Sequence, residues 1–191
     1  MSTEKSKSGE KIRSDVVVKK GFVESLSSGG VFTVTCHDKD GNEKWVDIAP
    51  NLVVNTGLQS MNTQFFTGSA YTAAWYIGLV NNTSASTTFS GGDTLASHAG
   101  WAENSAYTGN RKSASFSTAT LADPSNINNS ASPASFTMTA NAVICGAFLT
   151  NVATGATGLL FSAADFQAPG DRTVVTGDVL NITYSFNLDA V

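Results

Sequence analysis

Charged side chains are scarce in this sequence. Asp, Glu, Lys and Arg make up 14% of 191 residues, against about 25% in an average soluble domain. Cysteine is rarer still: Cys36 and Cys145 lie far apart and outside any CxxC pattern. Nothing points to a disulfide scaffold, and two reduced, buried thiols are expected, with a single Cys36–Cys145 bridge as the alternative. No apolar run exceeds the eight residues Ala73–Val80, far short of the ~20 that a membrane-spanning helix needs. The opening MSTEKSKSGEKIR has no apolar core of a secretory signal, so synthesis in a cytoplasm is expected. Heptads of Ala, Glu, Lys, Leu and Arg are missing, which excludes a long coiled coil.

In place of charge the chain carries 45 Ser and Thr and 17 Gly. Eleven Phe, three Trp and many Val, Ile and Leu offset enough chain entropy to exclude disorder for the bulk of the chain. The length suits one domain with an appendage. Residues 1–20 hold six bases (Lys5, Lys7, Lys11, Arg13, Lys19, Lys20) against three acids, a net of +3; the remaining five bases and twelve acids give −7. A basic arm on an acidic body fits docking to an acidic surface, to nucleic acid or to neighbouring copies, and equally a solvated tail.

Periodicity predicts a mainly β chain. Val16–Val18 and Gly21–Val23 form a first extended piece, and Ser27-Ser28-Gly29-Gly30 reads as a turn or short linker. Val31, Phe32, Val34 and Cys36, then Asp38-Lys39-Asp40-Gly41-Asn42, then Trp45, Val46 and Ile48 make a hairpin closed by Pro50. One helix is expected over 52–66: Val54, Leu58, Met61 and Phe65 share a face that packs on a sheet, Asn51 or Asn55 caps it, and Gly68 ends it. Strands are predicted at Ala73–Val80, Ser113–Thr120, Ala134–Ala140, Val143–Thr150, Leu159–Phe161, Thr173–Val175 and Val179–Leu188. Between them, 81–110 is a long irregular stretch anchored by Leu95 and Trp101. The expected architecture is an antiparallel β-sandwich or jelly roll. Its parts are a basic arm (1–20), a β-hairpin extension (21–50) and a sandwich domain (51–191).

Motifs for catalysis are missing. His37 lies beside Cys36 and near Asp38 and Asp40, but consecutive strand residues face opposite ways, so a shared ion would need a bulge. The Asp38–Asn42 turn opens like a calcium loop without the bidentate acid that completes one. Ser97, His98 and Asp93 are close in sequence, yet triads assemble in space and no G-x-S-x-G elbow is present. Neither G-x-x-x-x-G-K-[ST] nor G-x-G-x-x-G occurs, and none of the fifteen acids is placed informatively. The reading is a non-enzymatic chain without metal or cofactor. A pI near 5.0 argues against a nucleic-acid face on the body, leaving only the arm and Arg111-Lys112 for such a role.

The stretches CHDKDGNEKW (36–45), NLVVNTG (51–57), GSAYTAAWYIGLV (68–80) and GDTLASHAGWAE (92–103) resemble tailed-bacteriophage virion structural proteins. So do 129–151, 159–165 and GDRTVVTGDVLNITYSF (170–186), and the likeness spans roughly residues 31–188. Within that family it points to head decoration or cement proteins with a jelly-roll-like fold. A residue that is often proline in such sequences is Lys112 here, and the arm lies outside the pattern. The resemblance implies a location on the outer surface of the phage head. It also implies binding to the major capsid protein and to neighbouring copies as a dimer or trimer. The alternative is a tail or fibre component that recognises a host glycan; a cell-wall hydrolase is the third class. Expected contact residues are Lys11, Arg13, Lys19 and Lys20 on the arm, Phe32 and Trp45 on the hairpin, and Trp101, Arg111 and Lys112 beyond it. Both tryptophans fit a core role equally well.

Overall fold

The structure is a computed structural model that describes residues 26–68, 74–81, 87–166 and 170–190. The arm with Lys11, Arg13, Lys19 and Lys20, and the extended pieces at 16–18 and 21–23, lie outside the described residues. In chain order the elements are β1 (Leu26–His37), β2 (Glu43–Pro50), β3 (Leu52–Val53), α1 (Asn55–Thr67) and β4 (Tyr76–Asn81). Then come β5 (Ala102–Asn104), β6 (Lys112–Ser113), β7 (Ser125–Asn128) and β8 (Ala134–Thr137). The series closes with β9 (Ala142–Thr150), β10 (Leu160–Asp165), β11 (Arg172–Val174) and β12 (Val179–Ala190).

These strands form two antiparallel sheets beside one helix. The first runs β2-β1-β12-β7, with β8 also on β12; the second runs β3-β10-β9-β4-β5, with β11 on β9 and β6 on β4. Alternation along β1 sends Phe32, Val34 and Cys36 inward, each fully buried. They share one apolar cluster with Ile77, Leu79, Ile144 and Leu149 of the second sheet and Ile182 and Tyr184 of β12.

The Asp38–Asn42 turn forms as its residues dictate. Asp38 Oδ1 accepts the backbone N–H groups of Asp40 and Asn42, both at 2.9 Å, and Gly41 supplies φ of 86°. The hairpin expected as an extension is instead built into the first sheet, because β1 pairs β12 from Leu26↔Ala190 to His37↔Val179. Ser27–Gly30, read as a turn, is part of that strand: β12 supplies the ladder that the small residues do not signal. Gly30 is needed there, since a Cβ would lie 2.4 Å from the Tyr184 hydroxyl oxygen.

The helix begins later than expected, with Val54 as N-cap and no side-chain capping bond, and ends on Gly68 in the left-handed region. Asn51 does other work: its Oδ1 accepts from the Gly30 N–H (2.7 Å) and its Nδ2 donates to the Tyr184 hydroxyl (2.8 Å). The buried side also differs from the expectation. Gly57 sits so close to β10 that a Cβ would lie 2.3 Å from the Phe161 carbonyl oxygen. That approach rotates Leu58 and Phe65 outward, and Phe65 is 85% exposed. Of the stretch predicted at 113–120, only Ser113, the end of β6, is strand. Its remainder follows β7 through isolated bonds such as Ser117 N–H to Asn128 C=O.

Candidate interaction surface

Among the described residues β2 is an edge strand of the first sheet, and its register fixes which backbone groups it presents. The Asn51 N–H donates to the Gly30 carbonyl at 2.9 Å. Counting in twos from that pair, Ala49, Asp47 and Trp45 bond to Phe32, Val34 and Cys36. The N–H and C=O groups of Val46 and Ile48 therefore point away from β1, and Pro50 ends the row without an N–H. The same two residues turn apolar side chains outward, Val46 at 43% and Ile48 at 60% exposure. Edge strands are commonly guarded by central charges or a proline. Here Glu43, Lys44 and Pro50 stand at the ends and the one central charge, Asp47, points inward, so the outward face between them is apolar.

The inward side of β2 is riveted in place. Asp47, with a side chain only 2% exposed, pairs with Arg172 of β11 at 2.6 Å and so ties this edge to the second sheet. The Arg172 guanidinium lies 5.5 Å from the Trp45 ring centroid, and Trp45 meets Phe166 edge-on at 6.1 Å. Lys44 pairs with buried Asp178, a hydrogen bond that holds the ammonium above its ordinary pKa.

The structure separates the expected contact residues. Phe32 is fully buried, with its ring 4.7 Å from that of Tyr184, and offers a partner no surface. Trp45 is partly buried; its Nε1 is enclosed and has no hydrogen-bond partner among the described residues. Trp101 is 4% exposed, stacks on His98 at 3.8 Å and donates from Nε1 to Asp93 Oδ2 at 3.0 Å. Arg111 is 8% exposed. It forms a two-pronged pair with Glu103 (2.8 and 2.6 Å) and donates to the Val152 carbonyl at 3.1 Å. Lys112 is partly buried, reaches the Thr108 carbonyl and lies over the Tyr107 ring. Trp101 and Arg111 are thus joined through packing on Phe148, whereas Trp45 stands apart on β2. Leu95, the other expected anchor, is also buried.

The remaining chemical candidates have structural partners. His98 Nδ1 lies 2.9 Å from the Trp101 carbonyl, and Asp93 is engaged by Trp101 and the Ser90 N–H. The Ser97/His98/Asp93 set is therefore held in a packed loop. A register shift does occur between Cys36 and His37, yet Cys36 remains fully buried and its thiol is raised to about 11, mainly by burial. An apolar cavity of about 170 Å³ lies between Met61, Trp75, Phe116, Phe161 and Tyr184. Its walls are mostly apolar side chains, and the Tyr184 hydroxyl among them already accepts from Asn51 Nδ2.

Sequence reasoning missed two features. The exposed middle of β2 follows from strand order, which sequence alone does not give. A donor cluster of Cys145, Asp165 and Asp171 also escaped notice, because its acids lie twenty and twenty-six positions beyond the cysteine. Both cysteines are free and buried. No family model, curated protein or solved structure matches this chain.

Proposed function

We propose that this chain is a non-enzymatic phage head decoration protein that binds the major capsid protein lattice and stabilises the shell. The observation that carries the reading is the edge of β2, where two successive outward positions join backbone groups unpaired among the described residues to exposed apolar side chains. A strand added there gains main-chain hydrogen bonds without any pocket. Ion pairs on the inward side hold the edge in its bound shape beforehand, which lowers the ordering cost of association. Repetition over a lattice multiplies modest single-site affinity.

The two sheets, with side chains of both in one apolar cluster, support a jelly-roll-like sandwich as the finer architecture. The sequence resemblance to phage virion proteins supplies the capsid as partner, with neighbouring copies of the chain beside it and the outer head surface as location. The basic arm serves as a second contact with that acidic-partner chemistry. A glycan-recognising tail component would call for exposed aromatics in the 81–110 stretch, but Trp101 and Tyr107 are in the core.

The test is binding of purified chain to undecorated heads. Wild type is expected to saturate the heads and Ile48→Pro to lose at least ten-fold in affinity while remaining folded. Equal affinity of the two would overturn strand addition at β2. No binding by either would overturn the decoration reading itself.

A further inference from the structure

β9 changes partner at Cys145. On one side of the strand Gly146 pairs Asp165, the last residue of β10, and Ile144 pairs Arg172, the first of β11. Cys145 lies between those pairs, so the end of β10 and the residue before β11, Asp171, both arrive at it. On the other side β4 skips it: Val80 pairs Gly146 and Asn81 pairs Ile144. Cys145 is the extra residue of a β-bulge, a device that re-aims a side chain. The result brings the thiol sulfur and one carboxylate oxygen from each acid within 4.8 Å of one another. A fourth oxygen is beside them, because the Thr87 hydroxyl donates to Cys145 Sγ at 3.1 Å.

We propose that Cys145, Asp165 and Asp171 form a binding site for a divalent transition ion of the zinc class. Neither an acidic cluster nor a lone cysteine carries the inference; the mixed donor set does. One sulfur and two carboxylate oxygens suit a borderline-soft ion, whereas magnesium and calcium take oxygen alone. With Zn–S near 2.3 Å and Zn–O near 2.0 Å, tetrahedral ligand atoms stand about 3.3–3.5 Å apart. The donors therefore have to close by about an ångström. The closing falls to exposed Asp171, which trades its present interaction for the ion, while Cys145 is fixed in the core. Binding displaces the thiol proton to solvent as the Zn–S bond forms, leaving three protein ligands and an open fourth position for water or the Thr87 hydroxyl. Such an ion would tie β9, β10 and the start of β11 together at the point where one strand hands over to the next.

The experiment is a cobalt(II) titration of the reduced full chain, followed by absorption. Thiolate coordination gives a near-ultraviolet charge-transfer band that carboxylate or imidazole binding does not. Wild type and Cys36→Ser are expected to show the band saturating at about one equivalent, with zinc(II) abolishing it by displacement. Cys145→Ser is expected to lose the band. Asp171→Asn, a nearly isosteric change at an exposed residue, is expected to keep a cooperative thermal transition and to weaken cobalt affinity at least ten-fold. Absence of the band in wild type, its persistence in Cys145→Ser, or unchanged affinity in Asp171→Asn would each overturn the proposal.

Discussion

Arg111 and Lys112 are adjacent in sequence and bear the same charge, yet their removal has different consequences. Arg111 is buried and holds Glu103 with two parallel bonds while spanning to the Val152 carbonyl. Breaking an enclosed pair from one side costs roughly 3–5 kcal/mol. The Glu103 side chain is 30% exposed, so water takes over part of the lost interaction, and the lower end of that range applies. Arg111→Ala is therefore expected to lose about 3 kcal/mol in urea unfolding. Lys112→Ala is expected to stay within about 1 kcal/mol of wild type, as solvent-facing contacts do. Equal losses would contradict the different environments assigned to the two residues. The sequence showed a basic pair but could not show that Glu103, eight positions earlier, would turn back to meet one member of it.

At the scale of elements, β2 is the strand that accepts change. Proline at 48 removes an N–H that has no strand partner among the described residues, and edge strands tolerate it. Ile48→Pro is accordingly expected to keep a cooperative thermal transition within a few degrees of wild type. Thr33→Pro on β1 directs its lost bond at β12 and is expected to lower Tm far more. If the two variants melt alike, the assignment of open and bonded faces along β2 is wrong. The hairpin was legible because its turn is encoded locally, by Asp38, Gly41 and alternating apolar residues on each side. The helix end was legible for the same reason at Gly68. Ser27–Gly30 was not, because small residues become strand only when a distant partner, β12, supplies the ladder. The helix face was misread because Gly57, a weak helix former, marks the closest approach to β10. The site was legible only as a region: β2 could be placed in a hairpin, but its edge position depends on which strand lies beyond β1.

For the molecule as a whole, burial of weak acids makes the fold sensitive to alkali. Burial raises Cys36 from 9.0 to about 11 and, with Glu103 nearby, Tyr107 from 10.0 to about 12. Tyr184 is raised as well, again mainly by burial. In each case the native state keeps a proton that the unfolded chain gives up at lower pH. The resulting stability is complete below the unfolded pKa and declines as pH rises toward the folded one. Lys44, raised by its bond to Asp178, acts in the same direction above 10.5. Tm is therefore expected to show no loss from these groups up to about pH 9 and to fall steadily between 9 and 12. A constant Tm to pH 11.5 would contradict the burial of these three side chains.

The central claim is that many copies of this chain cover a phage head. Quantitative mass spectrometry of purified virions, with the major capsid protein as internal standard, measures it most directly. Decoration predicts a copy number on the scale of the capsid protein. A handful to a few dozen copies, or none in the particle, would contradict it.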